Sequence, residues 1–366
     1  MKRKLTKMDV APAMIGGLLL SAGGSGVARS LERHDVAAEV ALGLGDVALV
    51  SIDELPLDGV IIASTSVGAP GFAKPELVLR DHVDAAQAVV AKLGRPAVGV
   101  ICGHVPGFNA WLVAAALGIP YVDAAANGRG HPTVQMGGMG LASRPDVSIV
   151  QVAQAGYADT GTRLSVVAEG NLVRTSQVMR HAAIVGGGLV ASARGPYPVA
   201  FVGANGAVGA ISFQIDLGRS MLAAEPGPAR TAAAAAFMGG EVLITGEVTE
   251  NSVVYRDGYD VGRLVVSDGS AEVVLGVFNE FMTADRGGIR VATFPDMIGS
   301  TDPATGDPIA IAQLPKGSPV SIVTAHRSGF PLGKGALDPA VFAEVEQALG
   351  LDLHSFLVSR CEAAPT

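Results

Sequence analysis

Two stretches of the sequence gather the side chains best suited to chemistry. The first is Val100-Ile-Cys-Gly-His-Val-Pro-Gly-Phe-Asn109 and the second Tyr121-Val-Asp-Ala-Ala-Ala-Asn-Gly-Arg-Gly-His-Pro132. Cys102 and His104 are two apart, so an extended segment would turn both to one side. A thiolate beside an imidazole either holds a borderline-soft metal or forms a nucleophile–base pair. The plainer alternative is a buried cysteine next to a hydrogen-bonded histidine. In the second stretch Asp123 and His131 are metal-ligand types, and Arg129 has the fork shape that clamps a carboxylate. Asn109, Asn127 and Gly24 are the expected substrate-binding neighbours. If the two stretches meet, Cys102, His104, His131 and Asp123 form a site for one divalent metal, most naturally Zn²⁺. The alternative has Asp123 capping a turn and His131 simply packing. Farther on, Phe278-Asn-Glu-Phe281 offers Glu280 as a general base or ligand reaching in from a second domain.

The elements around these residues alternate. A helix, glycine turn and helix fill 13–45, and Val- and Ile-rich strands follow at 47–52 and 59–63. A helix over 81–93, a strand at 97–101, a helix over 108–117 and a strand at 120–123 complete the run. Strands alternating with helices of this length predict an α/β fold with a mostly parallel α/β/α sheet. Both chemical stretches then sit at carboxyl ends of strands, where ligands collect in such sheets. From residue 241 onward short strands are punctuated by Gly, Asp and Pro, at 242–248, 262–266, 272–278, 288–294, 308–313 and 319–324. That predicts a β-rich C-terminal domain. Between them, helices are read at 176–184 and 229–237, and the boundary is drawn near residue 160: 1–160 for the α/β domain carrying the site, 161–366 for the second.

At 366 residues the chain has room for two cores. Hydrophobic residues make up 49%, charged residues 16% and aromatics only 5%. The Ala, Val and Gly surplus behind a mean hydropathy of +0.41 suggests tight backbone packing and a subunit interface, with a homodimer the default. A net charge of −8 excludes nucleic acid as the expected partner. Two distant cysteines, Cys102 and Cys361, fit a reducing compartment. Lys2, Arg3, Lys4 and Lys7 before an apolar run resemble a secretory leader. Asp9, Pro12 and the following glycines break that run, so a cytoplasmic location is expected, with no membrane partner. The turn Ala22-Gly-Gly-Ser-Gly26 lacks dinucleotide-fingerprint spacing and is read as a tight turn or substrate-facing loop. His34 and His82, in or beside helices with acidic neighbours, are read as solvated.

The ordered set of blocks resembles the S-methyl-thiohydantoin desulfurase-like family, associated with hydantoinase and oxoprolinase enzymes. The matching pieces are Gly23-Gly-Ser-Gly26, Gly118-Ile-Pro-Tyr-Val-Asp123, Gly128-Arg-Gly-His-Pro-Thr-Val-Gln-Met136 and Gly258-Tyr-Asp-Val-Gly-Arg263. Phe278-Asn-Glu280, Pro295-Asp-Met-Ile298 and Thr305-Gly-Asp-Pro-Ile309 continue it to cover nearly the whole chain. Two blocks depart from the family pattern: Cys102-Gly-His104 replaces an acidic residue and a Gly-Gly-x-Asn loop, and His131-Pro-Thr133 replaces Phe-Pro-Glu. The resemblance implies an enzyme with a small heterocyclic substrate. The activity expected from it is a metal-dependent hydrolase that replaces ring sulfur by oxygen on a thioxo-imidazolidinone propionate, as in ergothioneine breakdown. In that scheme zinc-bound hydroxide attacks, Asp123 or Glu280 moves the proton, and Arg129 pairs with the propionate. A ring-opening cyclic-amide hydrolase, a non-catalytic partner subunit and a Cys102 nucleophile activated by His104 are the other readings.

Overall fold

A computed structural model describes residues 2–24, 27–68 and 76–362, without side-chain detail for 27–35 and 359–362. The first sheet contains β1 (Lys2–Lys4), β2 (Ala48–Val50), β3 (Val60–Gly68), β4 (Gly99–Cys102) and β5 (Tyr121–Ala125). It continues with β6 (Ile149–Ala155), β7 (Leu164–Gly170), β8 (Leu189–Pro198) and β9 (Ala207–Val208). Their order is β1-β2-β5-β4-β3-β8-β6-β7, with β9 beside β5. The neighbours β2/β5, β5/β4 and β4/β3 are parallel. The strands flanking that parallel core are antiparallel. The helices are α1 (Lys7–Leu20), α2 (Val27–Leu44), α3 (Leu79–Leu93), α4 (Phe108–Leu117) and α5 (Leu172–Val185). After them come α6 (Val199–Asn205), α7 (Ala210–Ala223) and α8 (Pro228–Phe237).

The parallel core follows from its connections. The crossover between β3 and β4 contains α3, and that between β4 and β5 contains α4. These strands are mostly apolar and buried, β4 throughout, as strands covered on both faces must be. One face packs with α1, α3, α4 and α7 around Trp111 and Phe108. The other packs with α5 and with the second sheet.

The apolar N-terminal run that resembles a leader folds as α1, a buried helix. It lies against α7 at small residues: a Cβ on Gly218 would fall 1.9 Å from the Pro12 carbonyl oxygen. No helix among the described residues is long and apolar enough to cross a membrane.

The second sheet is wholly antiparallel. It comprises β10 (Glu241–Asn251), β11 (Val254–Arg256), β12 (Tyr259–Ser267), β13 (Glu272–Phe278) and β14 (Glu280–Arg286), then β15 (Ile289–Thr293), β16 (Met297–Thr301) and β17 (Pro319–Ala325). The order is β15-β14-β13-β12-β10-β17-β16, with β11 beside β12. Short helices α9 (Ala343–Leu349) and α10 (His354–Glu362) close the chain. The two sheets share an apolar cluster in which Val261, Phe278, Met282 and Phe294 of the second meet Val67, Ile101 and Val134 of the first half.

Two expectations change. The segment 308–313 is not a strand: Pro308 makes a single bridge to Thr301 and Ile311–Gln313 is a 3-10 turn. β6 and β7, on either side of residue 160, pair along their whole length, and the first sheet takes in strands as far as Val208. His82 is not solvated. It is 6% exposed, facing inward from α3. The side chains of His34 and Cys361, and residues Ser25 and Gly26, lie outside the described residues.

Candidate active site

Glu280 is the centre of the arrangement. It opens β14 directly after Asn279, whose φ of 60° turns the chain in the left-handed region that Asn tolerates. Asn279 is held there from both sides: its N–H donates to the Asp260 carbonyl (2.8 Å) and its Oδ1 accepts from the Asp260 N–H (2.9 Å). Glu280 is thereby pushed into the junction with the first sheet and is 2% exposed. Its Oε1 lies 3.4 Å from His104 Nε2, and its Oε2 is buried with no hydrogen-bond partner among the described residues.

The glycine turn after α1 is the wall behind this carboxyl group. The Phe281 N–H donates to the Ala22 carbonyl, and the Ile311 N–H to that of Gly23, so the turn is tied to the second sheet. A Cβ on Gly24 would sit 2.5 Å from Glu280 Oε1, so any other residue there would displace the carboxyl group. Gly24 thus lies at the site, as a space-maker.

His104 follows the end of β4, and its Nδ1 lies against the Val105 carbonyl oxygen, which leaves Nε2 turned to Glu280. His131 lies next to it, with ring centroids 5.3 Å apart. Its Nδ1 is 3.1 Å from the Arg129 carbonyl oxygen, so that nitrogen donates and Nε2 carries the lone pair. Burial holds the His131 pKa well below the usual histidine range, and the nearby His104 adds to the effect. Burial pushes the Glu280 carboxyl in the opposite sense, above the usual carboxylate range, against the pull of His104 and Arg129. The result is a buried carboxyl group, an imidazole facing it and a second, neutral imidazole alongside.

The other residues singled out from the sequence are placed differently. Cys102, the last residue of β4, is fully buried beside the Tyr121 hydroxyl, and burial pushes its thiol up to about 12. A thiol so protonated is a poor nucleophile. The chain bends at Gly103, so the alternation that would put Cys102 and His104 on one side does not extend across it. Asp123 faces α7: it accepts from the Ile211 and Ser212 N–H groups (2.9 and 3.0 Å) and from Ser212 Oγ (2.6 Å). It caps that helix, a favourable place for a negative charge. Asn127 locks its own loop, donating to the Met136 carbonyl and accepting from the Arg129 N–H. Asn109 is half-buried in the first turn of α4.

Arg129 is fully buried, and its donors are used on backbone. Nε donates to the Gly130 carbonyl, one terminal nitrogen to that of Asp296 and the other to that of Phe281 (2.9 Å). The guanidinium also lies over Phe294, 4.9 Å from the ring centre. It joins the two sheets, and it is not directed at a ligand.

The four residues read as a zinc site are not gathered into one group: Cys102 lies beside the Tyr121 hydroxyl and Asp123 is bonded to the start of α7. Among the described residues no group of three or more His, Cys, Asp and Glu side chains is arranged to hold a metal ion. Missed in the sequence was Arg194, a β8 residue beside His131 whose terminal nitrogen donates to the Gly137 carbonyl (2.7 Å). No motif marks it.

Two expected outcomes follow. Asp123→Ala should cost about 1–2 kcal/mol of stability by removing the cap of α7, with turnover close to wild type. Equilibrium unfolding and a rate assay check both parts. A 100-fold loss of rate would restore Asp123 to the chemistry. The second concerns acid. His82 is buried, and burial lowers its pKa from the usual 6.5 to about 4. The folded state then binds fewer protons than the unfolded state between those values. Stability is therefore present above pH 6.5 and lost as pH falls toward 4, by about 3 kcal/mol from His82, and His131 acts in the same sense. Melting temperatures across that range should show a flatter acid limb in His82→Gln. An unchanged limb would mean that His82 is charged in the folded protein.

Comparisons with known proteins agree with this architecture. The crystal structure of a protein from Chromobacterium violaceum superposes with a TM-score of 0.69 at 20% identity, covering 95% of this chain and 96% of that one. That likeness shows the fold alone. No curated protein matches the chain. Residues 8–162 match the S-Me-THD-like N-terminal domain, and residues 170–330 match the S-Me-THD-like C-terminal domain. The chain therefore belongs to the S-methyl-thiohydantoin desulfurase-like family.

Proposed function

We propose that the chain hydrolyses a thiohydantoin-type ring, exchanging the ring sulfur for oxygen and releasing sulfide, with a thioxo-imidazolidinone propionate as substrate. The observation that carries this reading is Glu280, with one carboxyl oxygen on His104 and the other buried and unpartnered where the two sheets meet. Membership of a thiohydantoin-related family supplies the ring.

In this reading water lies against Glu280 Oε2, with the thione carbon opposite. The water oxygen attacks that carbon while one of its protons passes to the Glu280–His104 pair, and the C=S π electrons move onto sulfur. As the carbonyl forms, the C–S bond breaks with its electron pair on sulfur. Sulfur takes the proton held by the pair and leaves as hydrosulfide. The second proton of the water leaves to His131 Nε2 and then to solvent. Atoms and charge balance as water plus thione giving carbonyl plus hydrogen sulfide, and no oxidant or reductant is needed. A carboxyl group whose pKa is raised by burial suits this work, because it is a stronger base than an ordinary carboxylate.

The experiment is product analysis after incubation with the thioxo ring propionate and, separately, its oxo counterpart. Sulfide in equal amount to an intact oxo ring supports the proposal. A carbamoyl acid with sulfur retained would instead support a ring-opening amide hydrolase. Turnover only after a second chain is added would make this chain a partner subunit.

A further inference from the structure

Arg194 is 1% exposed. A terminal nitrogen donates to the Gly137 carbonyl and the Tyr197 hydroxyl lies close by, but among the described residues no carboxylate forms an ion pair with Arg194. Its Nε is buried with no hydrogen-bond partner among the described residues. A guanidinium stays charged in proteins, and a buried charge without a counter-ion is costly unless something else neutralises it. The strand period puts Ser192 on the same face of β8, and the Ser192 hydroxyl is also buried and unpartnered.

This face borders the site. A Cβ on Gly137 would lie 2.4 Å from His131 Nε2 and 3.0 Å from the same Arg194 nitrogen, so both groups abut one point that glycine alone leaves clear. Arg129, the other guanidinium near Glu280, donates from each of its three nitrogens to a backbone carbonyl, and Arg180 donates to those of Gly258 and Pro132.

We propose that Arg194, with the Ser192 hydroxyl beside it, binds the carboxylate of the substrate and so sets which ring carbon faces Glu280. This rests on the reading of the site as a thiohydantoin hydrolase and assigns its specificity. Arg194 supplies the counter-charge for an anionic side group, and the ligand supplies what the buried guanidinium lacks.

The test is calorimetric binding of two sulfur-free probes, a hydantoin propionate and its primary amide. Wild type should bind the acid at least about tenfold more tightly than the amide, and Arg194→Met should reduce that preference to within about twofold. Should Arg194→Met fail to fold, Arg194→Gln carries the same comparison. Retention of the acid preference in either variant overturns the proposal, as does an equal loss of affinity for both probes. The two readings fail separately. Desulfurisation by a wild type with no acid preference removes the Arg194 role and leaves the reaction standing. Arg194-dependent binding of the acid probe without any sulfide release supports the anion site and removes the reaction.

Discussion

Glu280→Gln should lower turnover of the thione substrate by about 10²- to 10⁴-fold, since an amide cannot take a proton from the attacking water. The fold should tolerate the change. Burial raises the Glu280 pKa, so the folded state binds more protons than the unfolded state above the ordinary carboxylate value of 4.5. The stability of the native protein that depends on this group is therefore present at low pH and lost as pH rises through that window. Glutamine is neutral throughout, so at pH 7 the variant should be at least as stable as wild type, and the difference should shrink toward pH 4. Rate and unfolding curves on one preparation check both parts. A variant that unfolds readily would mean that Glu280 is a structural counter-ion. A variant with normal turnover would remove Glu280 from the reaction.

Arg129→Ala should have the largest effect on the fold, about 3–5 kcal/mol, because three buried carbonyls lose their donor at once. Those carbonyls belong to Gly130 in the first half of the chain and to Phe281 and Asp296 in the second. Phe281 adjoins Glu280, so loosening this tie should also displace the carboxyl group, and activity should fall with stability. Burial lowers the Arg129 pKa to about 10, with Glu280 and Asp296 opposing, and the group remains cationic at neutral pH. The opposite result, stability within 1 kcal/mol of wild type and a raised KM for carboxylated substrate alone, would return Arg129 to the role of substrate clamp.

The parts of the site that could be read from the sequence are those fixed by local pattern. Alternating strands and helices placed His104 and His131 on loops after β4 and β5, and the two rings do lie side by side. Cys102 was misplaced because side-chain alternation was carried across Gly103, where the strand has already ended. Asp123 belongs to the same strand end as the His131 loop, yet its oxygens are taken by the N-terminus of α7, a helix nearly 90 residues downstream. No spacing rule in the sequence encodes that contact. Arg129 looked like a ligand clamp because the residue type suits one, whereas its fork is matched to backbone oxygens from the other sheet. Arg194 was invisible for a topological reason. β8 returns antiparallel between β3 and β6, an insertion that a strand–helix alternation does not announce. Glu280 was named from its place at a strand end, but its approach to His104 depends on how the two sheets dock through Phe278, Met282 and Phe294.

The central claim is that a water oxygen replaces the ring sulfur under the control of Glu280 and His104. The most direct measurement is turnover of the thioxo ring propionate in ¹⁸O-labelled water, with mass analysis of the ring product and quantitation of sulfide. The account predicts one sulfide per ring, with one ¹⁸O on the carbon that carried sulfur, an unopened ring, and both signals lost in Glu280→Gln. Sulfur retained in an opened, labelled acid, or labelled product formed undiminished by Glu280→Gln, would contradict it.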